Sequence, residues 1–155
     1  MTPAEFIDQM LPGARLCQRT SGIPASFTIA QAALETGWGK DAPGNNIFGI
    51  KADAAWKGPT VQFQTREVIK GTNIRIIGTF RAYPNWSACI QDRAQFFLRN
   101  PRYAKCFREK TGEGWARAVA AAGYATDPHY AESLIAVMDG RKLQRYDALP
   151  AEVTP

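Results

Sequence analysis

The chain has 155 residues, a net charge of +5 and 45% hydrophobic residues. That is long enough for one domain with its own core, and the composition excludes wholesale disorder and fibrous repeats. Cys17, Cys89 and Cys106 form neither an even disulfide framework nor a C-x-x-C zinc pair, so they read as buried free thiols made in a reducing compartment. The positive charge is spread along the chain, which fits general attraction to a polyanion rather than a dedicated nucleic-acid arm.

Thr2 and Glu5 have capping-box spacing, with Pro3 at the favoured first helical position. A helix therefore opens the chain, with Phe6, Ile7, Met10 and Leu11 on its apolar face. Pro12-Gly13 is expected to bend or interrupt it, with Ala14 to Arg19 continuing as far as Ser21-Gly22. No basic-then-apolar leader precedes it, and no apolar run approaches the roughly 18 to 20 residues of a membrane span. A second helix is expected from near Pro24, carrying Phe27, Ile29, Ala30, Ala33 and Leu34 and stopped by Gly37 and Gly39. Asp41 to Gly49 reads as a turn-rich loop.

Between about Thr60 and Tyr83 apolar and polar residues alternate, and Lys70-Gly71-Thr72-Asn73 separates two β-branched stretches. This predicts one antiparallel hairpin with its turn near Gly71. Further helices are expected over Ala88 to Arg99, stopped by Asn100-Pro101, and over Glu113 to Ala122, closed by Gly123. A last helix is expected from Asp127 as N-cap, with Pro128 behind it, to about Lys142. The fold class is then α+β: a mostly helical domain over 1–146 with a small antiparallel β-hairpin lobe, and 147–155 as a flexible tail. A cleft is expected where the two lobes meet.

Several chemistries are excluded. The single histidine, His129, sits at a helix start; no nucleophile elbow accompanies it, and it cannot by itself furnish a zinc site. Gly37-Trp38-Gly39 lacks the spacing and the lysine-hydroxyl pair of a phosphate loop. Carboxylates and aromatics remain. Glu35 follows the apolar run Ala30 to Leu34 and stands beside Trp38; partial burial there would raise its pKa, as a general acid near neutral pH requires. A solvated glutamate in a last helical turn fits the same pattern. Trp115, Phe96 and Phe97 read as core, and Asp127 as a cap.

Ala32-Ala33-Leu34-Glu35-Thr36-Gly37-Trp38-Gly39 resembles the acid-bearing motif of glycoside hydrolase family 73, the peptidoglycan N-acetylglucosaminidases. That family includes flagellar hydrolase domains, autolysins and phage lysins. Asn45-Asn46-Ile47-Phe48-Gly49-Ile50-Lys51, Thr65-Arg66-Glu67, Phe80-Arg81-Ala82-Tyr83 and Ala122-Gly123-Tyr124-Ala125-Thr126-Asp127-Pro128 resemble further blocks of the family, in its order. The resemblance runs from about Ile23 to Met138.

It implies a lysozyme-like fold and an endo-β-N-acetylglucosaminidase acting on the bond between N-acetylglucosamine and N-acetylmuramic acid. Glu35 would be the acid, with Glu67 facing it from the hairpin as nucleophile, base for water or electrostatic partner, and Tyr124 near the reacting sugar. A substrate-assisted route, in which the sugar's acetamido oxygen attacks its own anomeric carbon, stays open. Asp53, Asp41 and Asp127 are the competing carboxylates, Asp127 being better explained as a helix cap. Trp38, Asn46, Phe48, Lys51 and Tyr83 are the expected substrate-binding residues, with no metal and no cofactor.

The expected partner is the peptidoglycan glycan strand, bound by a monomer without nucleic acid or membrane insertion. The missing leader suits a phage or prophage endolysin, released through a holin or carried by another export system to the wall. The rival readings are a lytic transglycosylase or muramidase, and a non-catalytic wall-binding or flagellar assembly module.

Overall fold

The computed structural model describes residues 1–148. These residues form five α-helices, one of them buried at the centre of the body, and a two-stranded sheet leaves the helical body between the second and third. Helix α1 (Pro3–Ser21) begins with the expected capping box: Glu5 N donates to Thr2 Oγ1 and Thr2 N to Glu5 Oε2. Such a cap is worth about 1 kcal/mol.

Pro12 does not interrupt α1: the helix runs through it to Ser21. A missing donor costs one ladder bond, and burial of Phe6, Ile7, Met10, Ala14 and Cys17 along one face outweighs it. Gly13 has its own reason. A β-carbon there would meet Ile90 Cδ1 at 2.8 Å, so glycine lets α1 close onto α3 (Trp86–Arg99).

Helix α2 (Ala25–Thr36) is the centre of the body, and every residue from Ala25 to Ala33 is buried. A helix buried on all sides needs neighbours on all sides. It has them in α1, α4 (Gly112–Ala121), α5 (Tyr130–Arg141) and the 3-10 turn Leu143–Asp147. Its alanines admit these neighbours, while Phe27 packs against Phe97 and Trp115, with ring centroids 6.3 and 5.6 Å away. Trp115 and Phe97 are core, as expected. The three cysteines are buried and free, and burial pushes the Cys89 thiol up to about 12.

Strands β1 (Thr60–Ile69) and β2 (Thr72–Arg81) pair antiparallel from Thr60↔Arg81 to Ile69↔Thr72. Lys70 and Gly71 make the turn with φ of 52° and 78°, the positive pair that a tight hairpin needs. The pairing puts Val61, Phe63, Thr65 and Glu67 on one face with Phe80, Gly78, Ile76 and Ile74. Phe63 stacks on Phe80 at 3.9 Å in the room left by Gly78.

The base of the hairpin is fixed to the body by Arg81. Its guanidinium reaches Asp92 (2.9 Å), Asp53 (3.2 Å) and the Lys51 carbonyl (3.2 Å), and lies over the Trp56 ring.

The C-terminal helices depart from expectation in two places. Helix α5 starts at Tyr130 rather than just after Asp127, because Asp127 Oδ1 accepts from His129 N in a tight turn that delays the helix. The segment Pro101–Arg108 forms a 3-10 turn that hydropathy does not announce. Asp147, at the start of the expected tail, is bonded to α2: its carboxylate accepts from Ser26 N and Oγ at 2.7 and 2.6 Å. The rest of that tail, 149–155, lies outside the described residues.

Candidate active site

Glu35 occupies the last turn of α2, just before Gly37 ends the helix in the left-handed conformation. It faces a cleft of about 590 Å³ between the helical body and the hairpin. Its carboxyl is accessible from the cleft, yet protein surrounds it closely, and desolvation raises its pKa above the ordinary 4.5. The negative charge of Glu67 across the cleft raises it further. The helix C-terminus, with its partial negative charge, also disfavours an anion there.

The burial that matters is not the one the sequence suggests. Leu34 is 40% exposed at the cleft, and Trp38 turns away to pack edge-on against Phe6 at 5.8 Å. Gly49, Tyr124 and Tyr130 line the cleft with Glu35, and Gly49 is near enough that a β-carbon on it would stand 2.5 Å from Glu35 Oε1.

Asn46 sets that approach. Its Nδ2 donates to the carbonyls of Ile50 and Arg81 at 2.9 and 2.8 Å, and its Oδ1 accepts from the amides of Ile50 and Phe48. It is 2% exposed with its hydrogen bonds committed, so it shapes the loop under the cleft instead of offering itself to a ligand.

Tyr83 is likewise removed from the expected binding set. It is buried, and its hydroxyl donates to Asp92 Oδ2 at 2.5 Å. Phe48 lines the cleft floor, but its ring lies under the Arg93 guanidinium at 4.4 Å, and its side chain is 2% exposed. Lys51 does face the cleft. The partly exposed aromatic surface there comes from Phe96, Tyr124 and Tyr130. Phe96 is thus half cleft wall, not wholly core.

Glu67 projects from β1 into the same cleft. Lys51 Nζ donates to its Oε1 at 3.1 Å, and Thr126 Oγ1 to its Oε2 at 3.4 Å. Thr126 also accepts from Val68 N at 3.0 Å, tying the hairpin to the loop between α4 and α5. Tyr124, on that loop, donates from its hydroxyl to the Phe48 carbonyl at 3.3 Å, and burial raises its pKa well above the usual value. Asp53 also lines the cleft, where it is bonded to Arg81 and to the amides of Ala55 and Trp56.

The structure therefore brings Glu35, Glu67, Tyr124, Lys51 and Phe48 together at the cleft and leaves Trp38, Asn46 and Tyr83 outside it. Gly49, Thr126 and Tyr130 are additions. The first two lie inside sequence blocks already singled out, whereas Tyr130 follows just beyond the last of them.

A family model described as mannosyl-glycoprotein endo-beta-N-acetylglucosaminidase, Glucosaminidase in short, matches residues 11–143. The chain belongs to this glucosaminidase family. The peptidoglycan hydrolase FlgJ of Salmonella typhimurium is 38% identical over 145 residues, covering 89% of this chain and 46% of that protein. The exo-glucosaminidase LytG of Bacillus subtilis is 35% identical over 158 residues, covering 97% of this chain and 54% of that one. The chain thus spans about half the length of these relatives. A crystal structure of a peptidoglycan hydrolase mutant from Sphingomonas sp. A1 superposes with a TM-score of 0.85 at 39% identity, covering 94% of this chain and 97% of that one. A mostly helical domain with a two-stranded antiparallel sheet is thus the glucosaminidase architecture, and the cleft sits at the meeting of its two lobes.

Proposed function

We propose that the chain is a peptidoglycan hydrolase that cuts the β-1,4 bond following N-acetylglucosamine, with Glu35 as general acid. The observation that carries this reading is a glutamate with a raised pKa lining a cleft between the two lobes, with a second carboxylate in the same cleft. Cleaving a glycosidic bond needs a protonated carboxyl for the leaving oxygen and negative charge near the oxocarbenium-like centre. Desolvation raises the Glu35 pKa and so favours its protonated form, and the charge of Glu67 adds to that rise. Glu35 then gives the proton to the departing sugar oxygen.

Glu67, oriented by Lys51 and Thr126, supports the positive centre or takes a proton from the attacking water. Tyr124 holds the Phe48 carbonyl and so the loop that carries Gly49 under Glu35. Where the acetamido oxygen attacks first, Glu67 keeps the electrostatic role alone.

The endo mode follows the family description, whereas the B. subtilis relative is named an exo-glucosaminidase. The size distribution of early products separates the two: an endo enzyme shortens strands before small fragments accumulate. The bond cut is tested by digesting purified peptidoglycan, reducing with borohydride and weighing the new ends. Glucosaminitol is expected. Muramitol would make the chain a muramidase, and anhydromuramic ends a transglycosylase.

A further inference from the structure

Arg93 on α3 is fully buried and, among the described residues, makes no ion pair. It donates from Nη1 to Gln31 Oε1 at 3.0 Å and from Nη2 to Thr28 Oγ1, and it lies among the rings of Phe27, Phe48 and Phe97. A guanidinium can only donate. Its presence fixes the amide of Gln31, which turns its oxygen to Arg93 and its nitrogen the other way. That nitrogen donates to the hydroxyl oxygen of Tyr130 at 2.9 Å.

A tyrosine hydroxyl carries one proton. Because Gln31 approaches Tyr130 as a donor, the Tyr130 proton cannot point at Gln31. Tyr130 lines the cleft alongside Glu35, and the cleft is where that proton is free to go. Tyr124 differs in this respect. Its ring stacks on Tyr130 at 5.7 Å and 17°, but its own hydroxyl donates to the Phe48 carbonyl.

From this we infer that Tyr130 is a hydrogen-bond donor to an oxygen of the sugar bound beside Glu35, and that Gln31 and Arg93 are positioning residues that set the direction of its proton. The inference rests on the glycosidase reading above. A donor held in one direction discriminates for a ligand oxygen, because a hydrogen bond left unmet when the sugar covers it is costly.

The test uses two isosteric changes and their combination. Tyr130→Phe removes the donor, and kcat/KM on peptidoglycan is expected to fall about 10- to 100-fold. Gln31→Glu keeps the shape but reverses the sense of the chain. The new carboxylate pairs with Arg93 and accepts the Tyr130 proton, drawing it out of the cleft. Activity is expected to fall to a similar degree while Tm holds or rises, since Arg93 gains a counterion. In a Tyr130→Phe background Gln31→Glu should cost nothing further.

A merely structural role predicts activity that follows Tm instead. Wild-type activity in folded Tyr130→Phe or Gln31→Glu would overturn the inference, as would a Gln31→Glu loss that persists undiminished without the Tyr130 hydroxyl. Tyr130→Phe decides alone should Gln31→Glu not fold. An active wild type silenced by Glu35→Gln but indifferent to Tyr130→Phe overturns this inference and leaves the glycosidase reading standing, whereas an inactive wild type overturns both.

Discussion

The Oε1 atom of Glu35 lies where a side chain at residue 49 would begin: a β-carbon on Gly49 would stand 2.5 Å from it. Gly49 also has a φ of +65°, which other residues adopt at a cost of about 1 to 3 kcal/mol. In Gly49→Ala the backbone resists, but the Glu35 carboxylate can swing aside. The expected outcome is a modest fall in Tm with a fall in kcat of more than about tenfold, since a misplaced acid costs far more rate than stability. Thermal melts beside a reducing-end assay check this, and a kcat that falls no more than stability predicts would place Glu35 away from the chemistry.

Glu67 should set the pH range of activity. Glu35 works while protonated, so the rate falls as pH rises through its raised pKa. Removing the Glu67 charge in Glu67→Gln takes away one cause of that rise, and the basic limb should move to lower pH while burial still holds it above 4.5. The size of the activity loss reports on mechanism. A nucleophile or base costs several orders of magnitude, with azide rescuing Glu67→Ala. An acetamido-assisted route costs less, and a thiazoline mimic then binds more tightly than product. Unchanged rate and unchanged limb in Glu67→Gln would reduce Glu67 to an ordinary hairpin residue.

Stability should respond to Glu35 in the opposite sense from activity. A carboxyl whose pKa is higher folded than unfolded supports the fold at low pH and loses that contribution as pH rises through the folded value. Glu35→Gln should therefore melt higher than the wild type at neutral pH and level with it in acid below the ordinary carboxyl range. Tm measured across pH checks the crossing, and a variant that melts lower at neutral pH would mean that the carboxylate is stabilised in place.

Asn46 gives a contrasting prediction. Its side chain satisfies two carbonyls and two amides of the buried loop. Asn46→Ala should cost about 2 to 3 kcal/mol, visible as a lowered denaturation midpoint, because the loop's polar groups are left unmet. A variant of wild-type stability with a raised KM would restore Asn46 to the sugar-binding role that its motif suggested.

The fold was largely legible because its signals are local. The Thr2–Glu5 box, the Gly37 stop, the Lys70-Gly71 turn and the Gly123 cap each act within a few residues, and each is where local chemistry puts it. The continuity of α1 through Pro12 and the late start of α5 are not legible in local rules, because tertiary packing and an aspartate turn override them. Glu35 and Glu67 were legible by family likeness, which also marked the blocks holding Asn46 and Tyr83. Likeness could not say which members of a block face the ligand. Asn46 and Tyr83 turn inward to bond with Arg81 O and Asp92, partners far along the chain. The chain from Arg93 through Gln31 to Tyr130 joins three helices, and no spacing in the sequence announces it.

The most direct test is turnover of purified peptidoglycan by Glu35→Gln against the wild type, with circular dichroism to show that both are folded. The amide keeps the shape of the side chain but has no proton to give, and general acid catalysis is worth about 10² to 10⁴ in rate. The account predicts that new reducing ends appear with the wild type and fall by at least about a hundredfold with the variant. A folded Glu35→Gln protein that releases reducing ends at near the wild-type rate would contradict it.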